Sequence, residues 1–149
     1  MNGIELVDVT SAEGSVIEPD WLARAEAVHR ELRPHLPEAY AAKMARVFAG
    51  GGRMLLATTA DRVLGLAVYR IVENTAYGLH LYVDDLVTTA LRRSSGVGHV
   101  LLCYLEARAR ECHCHALVLD SGTQRQQAHK FYFREGFTIV SFHFSKPLK

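Results

Sequence analysis

The sequence of 149 residues predicts an α+β fold in a single domain: a mixed, mostly antiparallel sheet flanked by helices. Three observations predict it. Apolar runs of strand-like composition (MLLAT, VLGLAVYRIV, HLYVDDLVTT) follow one another between residues 54 and 88 with short polar breaks, as in a meander. Segments with apolar residues at helical spacing lie on both sides of that block. A helical segment at 97–111 then separates the strand ending at Thr88 from a short apolar run, the order that sets two strands parallel through a crossover. At 49% hydrophobic, the chain is long enough for one core and too short for two comfortable domains.

The elements follow in order. Ile4 to Val9 alternates apolar and polar residues and opens the sheet. Glu18-Pro19-Asp20-Trp21 starts a helix whose apolar face carries Trp21, Leu22, Ala25, Val28 and Leu32 until Pro34 stops it. Pro37 to Phe48 repeats the pattern and ends in Gly50-Gly51-Gly52. Met54 to Thr58 and Val63 to Val72 form a hairpin around Thr59 to Arg62, and Ala76 to Thr88 returns as the next strand. After the helix of 97–111, His115 to Asp120 is a short buried strand. Gln124 to Glu135 is a helix capped by Gly136, and Phe137 to Phe144 is expected to supply the last strand.

The chain is organised around Asp84 to Glu111. Its loop, Arg93-Ser94-Ser95-Gly96-Val97-Gly98, joins a strand to a helix. Glycine lets the backbone approach a ligand closely, and a helix N-terminus aims free N–H groups at it. An anion such as pyrophosphate suits that place, although a Gly-x-Gly before a helix is by itself also an ordinary tight turn.

Seventeen basic against sixteen acidic residues disfavour nonspecific nucleic-acid binding. No signal peptide or membrane span is legible, which points to a cytoplasmic protein without membrane partners. Three cysteines make no disulfide framework. Cys112-His113-Cys114-His115 offers zinc-type ligands, but paired metal ligands are usually at least two residues apart, so no metal is expected.

Arg93-x-x-Gly96-x-Gly98 between a strand and a helix, followed by Ala128-x-x-Phe131-Tyr132-x-x-x-Gly136-Phe137, resembles the GCN5-related N-acetyltransferases (GNAT). The resemblance covers residues 80–140, and the order of the elements upstream agrees with it. It implies a splayed parallel strand pair in the centre of the sheet, acetyl-CoA as co-substrate and an amine acceptor. It further implies that Arg93, Ser94, Ser95, Gly96, Val97, Gly98 and His99 cradle the pyrophosphate. Leu86, Val87 and Thr88 would pair with pantetheine, and Tyr132 would lie near the sulfur. Two positions depart from the family pattern. Ser94 stands where a glycine is frequent, and Arg125 where an asparagine is frequent, which leaves open how that end of the pantetheine is held. Dimers through exposed strand edges are common in the family, so a homodimer is expected.

The implied reaction moves acetyl from a thioester to a primary amine. A protonated amine has no lone pair, so a base is required. Asp84 and Asp85 are candidates for it, or for attracting a cationic substrate, or for a solvated edge. A tyrosine keeps its proton at neutral pH and can donate it to the departing thiolate, the role assigned to Tyr132; without the motif it would read as a core aromatic. The alternatives are a noncatalytic acetyl-CoA sensor on the same fold and a nucleotide-binding domain. The latter lacks the third glycine of a dinucleotide fingerprint and any Gly-Lys-Ser/Thr.

Overall fold

The computed structural model describes residues 3–149. In chain order the elements are β1 (Glu5–Asp8), α1 (Pro19–Leu32), α2 (Tyr40–Ala49), β2 (Arg53–Thr59), β3 (Arg62–Asn74), β4 (Gly78–Thr88), a 3-10 turn (Ala90–Arg92), α3 (Val97–Glu111), β5 (Ala116–Leu119) and α4 (Gln126–Arg134). Two compact units divide them, one running to Val118 and the other spanning Leu119–Lys149.

The strands lie in the order β1-β2-β3-β4-β5, and the first three pairings are antiparallel. The expected β2-β3-β4 meander is therefore present. The His115 N–H donates to the Leu79 carbonyl at 2.7 Å. Leu79 is the second residue of β4, so β5 can only run on beside β4 in the same direction, which makes the sheet mixed. One face of the sheet is covered by α1 and α2, with Leu22, Val28, Met44 and Phe48 against Met54, Leu56, Leu66 and Val68. On the other face α3 buries Val97, Leu101, Leu102, Leu105 and Ala109.

Proline and arginine set the helix bounds on the first face. Pro19 is the first residue of α1, where its missing N–H costs nothing. Helix α2 begins at Tyr40 rather than Pro37. The Arg30 guanidinium draws the Leu36 and Pro37 carbonyls to 2.6 and 2.7 Å, which holds that segment in a turn.

In the second unit α4 ends in a Schellman turn: Gly136 is left-handed (φ +91°), its N–H bonds to Phe133 O at 3.1 Å, and the Phe137 N–H bonds to Tyr132 O at 3.0 Å. Beyond it the expected strand Phe137 to Phe144 is not formed. The run has strand composition, but among the described residues no ladder pairs with it, and composition supplies no partner.

Candidate functional site

Strand β4 enters the site through a β-bulge. Val68 faces Asp85 while Tyr69 faces Val83, so Asp84 is the extra residue. In a regular strand neighbouring side chains point to opposite faces; a bulge re-aims them. Both carboxylates consequently meet groups on the α1/α2 side. Arg70 grips Asp84 with Nε at 3.1 Å from each oxygen and Nη2 at 2.6 Å from Oδ2, and it also bonds the Gly50 carbonyl after α2. Asp85 Oδ1 accepts from Arg33 Nε at 2.8 Å, and Oδ2 lies 2.7 Å from His29 Nε2.

His29 is 1% exposed, and its Nδ1 lies 2.8 Å from the Tyr40 hydroxyl. An ionised carboxylate only accepts, so Nε2 carries the proton toward Asp85. Burial, with Glu26 and Asp85 nearby, pushes the Tyr40 hydroxyl far above its ordinary pKa, so it stays protonated beside His29 Nδ1. Burial also acts to raise the Asp85 pKa, but the hydrogen bonds and charges of His29 and Arg33 outweigh it, and the carboxyl sits below its ordinary range. The result is a polar chain, Tyr40-His29-Asp85-Arg33, tying α2 and α1 to β4. Neither carboxylate is the solvated edge that an acidic pair at a strand end suggests.

Leu86, Val87 and Thr88 continue β4, opposite Ala67, Leu66 and Gly65. The Glu31 carboxylate from α1 then takes the Thr89 hydroxyl at 2.8 Å and the Ala90 N–H at 2.9 Å, fixing the start of the 3-10 turn. Arg93 is extended and exposed. Ser94 has φ +64°, a left-handed conformation that glycine adopts without strain, which gives a physical reason for glycine being frequent there. The Ser95 hydroxyl turns back onto the Arg92 carbonyl. Gly96, also left-handed (φ +87°), is the N-cap of α3. Helical bonding starts with Val100 N–H to Gly96 O at 3.1 Å, so the amides of Val97 and Gly98 precede any intrahelical acceptor. No acidic residue stands in the first turn, which leaves the positive end of the dipole unopposed. His99 points along the helix, its Nε2 3.4 Å from the Cys103 sulfur. The donor set suits the pyrophosphate of acetyl-CoA: backbone amides at a left-handed glycine cap beside two arginines.

In the second unit, Tyr132 is buried on α4 with its ring against Phe131 and Phe137. Burial raises its pKa; the charge of Arg125, at the N-cap of the same helix, pulls the other way. The hydroxyl therefore keeps its proton at neutral pH. Among the described residues no cluster of three or more His, Cys, Asp or Glu could hold a metal ion, and no helix is long and apolar enough to cross a membrane.

Sequence reasoning missed His29, Arg33, Tyr40, Arg70 and Glu31. Each is an ordinary residue of a helix, a helix cap or a strand in the sequence, and only the fold brings it to β4.

The profile of the Acetyltransferase (GNAT) family matches residues 19–137. An uncharacterized N-acetyltransferase of Bacillus subtilis, YhdJ, is 37% identical over 97% of this chain and 99% of its own length. An aminoalkylphosphonate N-acetyltransferase of Salmonella typhimurium is 33% identical over 44% of this chain and 43% of its own. Among solved structures, an aminoglycoside N-acetyltransferase in complex with CoA superposes with TM-score 0.80 at 14% identity, covering 98% of this chain and 95% of that one. An acetyltransferase of Trypanosoma brucei gives 0.77 at 20% identity, covering 97% and 99%.

Proposed function

The chain belongs to the acetyltransferase (GNAT) family and is an acyltransferase, and from that membership we propose that it is a single N-acetyltransferase domain, residues 1–149, using acetyl-CoA and a primary amine in the cytoplasm. The observation that carries the cofactor reading is the left-handed Gly96 cap, which leads the Val97 and Gly98 amides into α3 with no acidic residue in its first turn.

Acetyl-CoA, when bound, supplies the acetyl group as an activated thioester. The amides from Arg93 to His99 hold the pyrophosphate, and the Arg92 and Arg93 guanidiniums add charge. The edge of Leu86, Val87 and Thr88 pairs with the pantetheine in β-fashion. Asp84 and Asp85 draw in the ammonium form of the acceptor and receive its proton; the bulge that turns both to one face supports this pairing of roles. Tyr132 donates the proton that the departing thiolate takes, and Arg125 orients its hydroxyl. The protein assembles as a homodimer, a reading supported by the exposed apolar residues of the C-terminal run.

Gly98→Glu tests the cofactor site, since it places bulk and negative charge where phosphate binds. Calorimetry is expected to show acetyl-CoA affinity lost in a folded variant, together with loss of CoA thiol release across an amine panel. Unchanged affinity would remove the assignment.

A further inference from the structure

His29 is sealed in the core, yet both of its ring nitrogens are engaged, Nε2 at 2.7 Å from Asp85 Oδ2 and Nδ1 at 2.8 Å from the Tyr40 hydroxyl. Polar groups placed this deep cost desolvation, and well-packed apolar residues of similar volume commonly serve stability as well or better. Helix α1 already shares an apolar core with the sheet through Leu22, Ala25 and Val28. The polar chain is therefore more than a tether.

Its effect on the carboxylate is visible atom by atom. Asp85 Oδ1 takes two donors of Arg33, Nε at 2.8 Å and Nη2 at 2.7 Å, which fills its two lone pairs. Among the described residues Oδ2 bonds only His29, so one lone pair of Oδ2 is left over. His29 and Arg33 stand four residues apart, in the last turn and at the cap of α1, and reach the carboxylate from one helix face. An unrestrained aspartate carboxylate turns readily about its last bond, so this clamp decides where the spare lone pair points. Asp85 directly precedes Leu86, where the edge proposed for the pantetheine begins. His29 itself is too deeply buried to touch a substrate, which leaves it a positioning part.

We propose that His29 is a positioning residue for acetyl transfer: it fixes the Asp85 carboxylate so that the spare lone pair of Oδ2 takes the proton of the acceptor amine, and Tyr40 locks the imidazole from behind. The inference rests on the reading of Asp85 as a proton acceptor and narrows it to one oxygen. In that step an N–H bond of the ammonium breaks, its proton joins Oδ2, and the freed nitrogen pair attacks the thioester carbonyl. The charged and titratable groups around Asp85 are His29 and Arg33 of α1, the Tyr40 hydroxyl of α2, Arg70 of β3, and Asp84 beside it on β4. Burial raises the proton affinity of Asp85, and the bonds from His29 and Arg33 hold it down. Loss of the His29 N–H therefore raises it, which moves the low-pH limb of turnover to higher pH.

Turnover is read as CoA thiol release with 2-aminoethylphosphonate, kanamycin and Nα-acetyl-lysine, and the Asp85 titration by carboxyl 13C spectra of the ligand-free, full-length protein. His29→Leu is expected to lower kcat roughly 10- to 100-fold with acetyl-CoA affinity kept. It should also move both the low-pH limb of kcat and the Asp85 midpoint to higher pH. His29→Gln, whose amide can offer an N–H near the place of Nε2, should recover most of the turnover and return the midpoint toward wild type. Tyr40→Phe should act in the same direction as His29→Leu, but less. A tether alone would change the melting temperature and leave kcat per folded molecule and its pH limb unmoved. That outcome in folded His29→Leu, with Asp85→Asn impaired, overturns the inference and leaves the reading of Asp85 standing; an unaltered Asp85→Asn overturns both. If His29→Leu does not fold, Tyr40→Phe decides by the same readouts. If wild type turns over none of the three amines, the 13C midpoint decides alone, and an unmoved midpoint overturns the inference.

Discussion

At the scale of the residue, Asp85 and Tyr132 carry opposite demands on their protons. Asp85 has a folded pKa held below its unfolded value near 3.9, so its contribution to stability is complete above that value and fades as pH falls through the folded one. Asp85→Asn keeps one acceptor oxygen but turns an NH2 donor toward the other partner and removes the charge that both His29 and Arg33 face, and should cost about 1–3 kcal/mol at pH 7. The gap to wild type should close as denaturant melts are repeated below about pH 4; a gap independent of pH would mean that the amide costs stability through packing alone. The role proposed for Tyr132 requires a proton on its hydroxyl, which burial preserves. Tyr132→Phe keeps the ring and deletes the hydroxyl, so turnover should fall by roughly 10²- to 10⁴-fold with little change in acetyl-CoA affinity. A lower melting temperature with turnover kept would return Tyr132 to the role of a core aromatic. Of these two residues Tyr132 was singled out along the chain by the motif around it. Asp85 was visible as an acidic residue near the end of a strand, but the imidazole that orients it comes from 56 positions away.

At the scale of the element, α3 joins the Arg93 to Gly98 loop to the sheet, and the fit depends on a glycine that the sequence presents only as a weak point in a strand. A Cβ on Gly65 would come within 2.8 Å of the Val87 carbonyl and 2.9 Å of Val97 Cγ1, closer than such contacts occur. Gly65 therefore lets the first turn of α3 seat directly on β3. Gly65→Ala should push that turn outward, costing about 1–3 kcal/mol in a denaturant melt. It should also weaken acetyl-CoA binding, because the Val97 and Gly98 amides move with it. A variant that loses stability but binds acetyl-CoA as wild type would show that the loop is positioned independently of the helix. The periodic pattern of α3 and its glycine start were readable along the chain, whereas the β4 bulge was not. Asp84 and Asp85 look the same in a regular strand and a bulged one, and the difference arises from the register against β3.

At the scale of the whole molecule, burial is unevenly shared. Among the described residues every buried apolar residue except Tyr132 belongs to the unit ending at Val118, while the C-terminal run leaves Ile139 and Val140 69% exposed, Phe142 81% and Phe144 91%. Sequence pattern read this run as a strand from its composition, but strand composition cannot say which edge, if any, receives it. Four large apolar side chains in six residues, unpaired and without a proline, form a surface that monomers rarely keep in water. Burying one phenylalanine is worth about 1.5–3 kcal/mol, so pairing two such runs in a homodimer has a substantial driving force. The full chain should therefore elute as a dimer in light-scattering chromatography at tens of micromolar. Phe142→Lys with Phe144→Lys should give a monomer whose melting temperature, extrapolated to low protein concentration, matches that of wild type. The competing arrangement, in which the run pairs with the sheet of its own chain, predicts a wild-type monomer and a double variant that melts several degrees lower at every concentration. Mass and melting temperature measured on the same samples separate the two, and a monomeric wild type would sink the dimer.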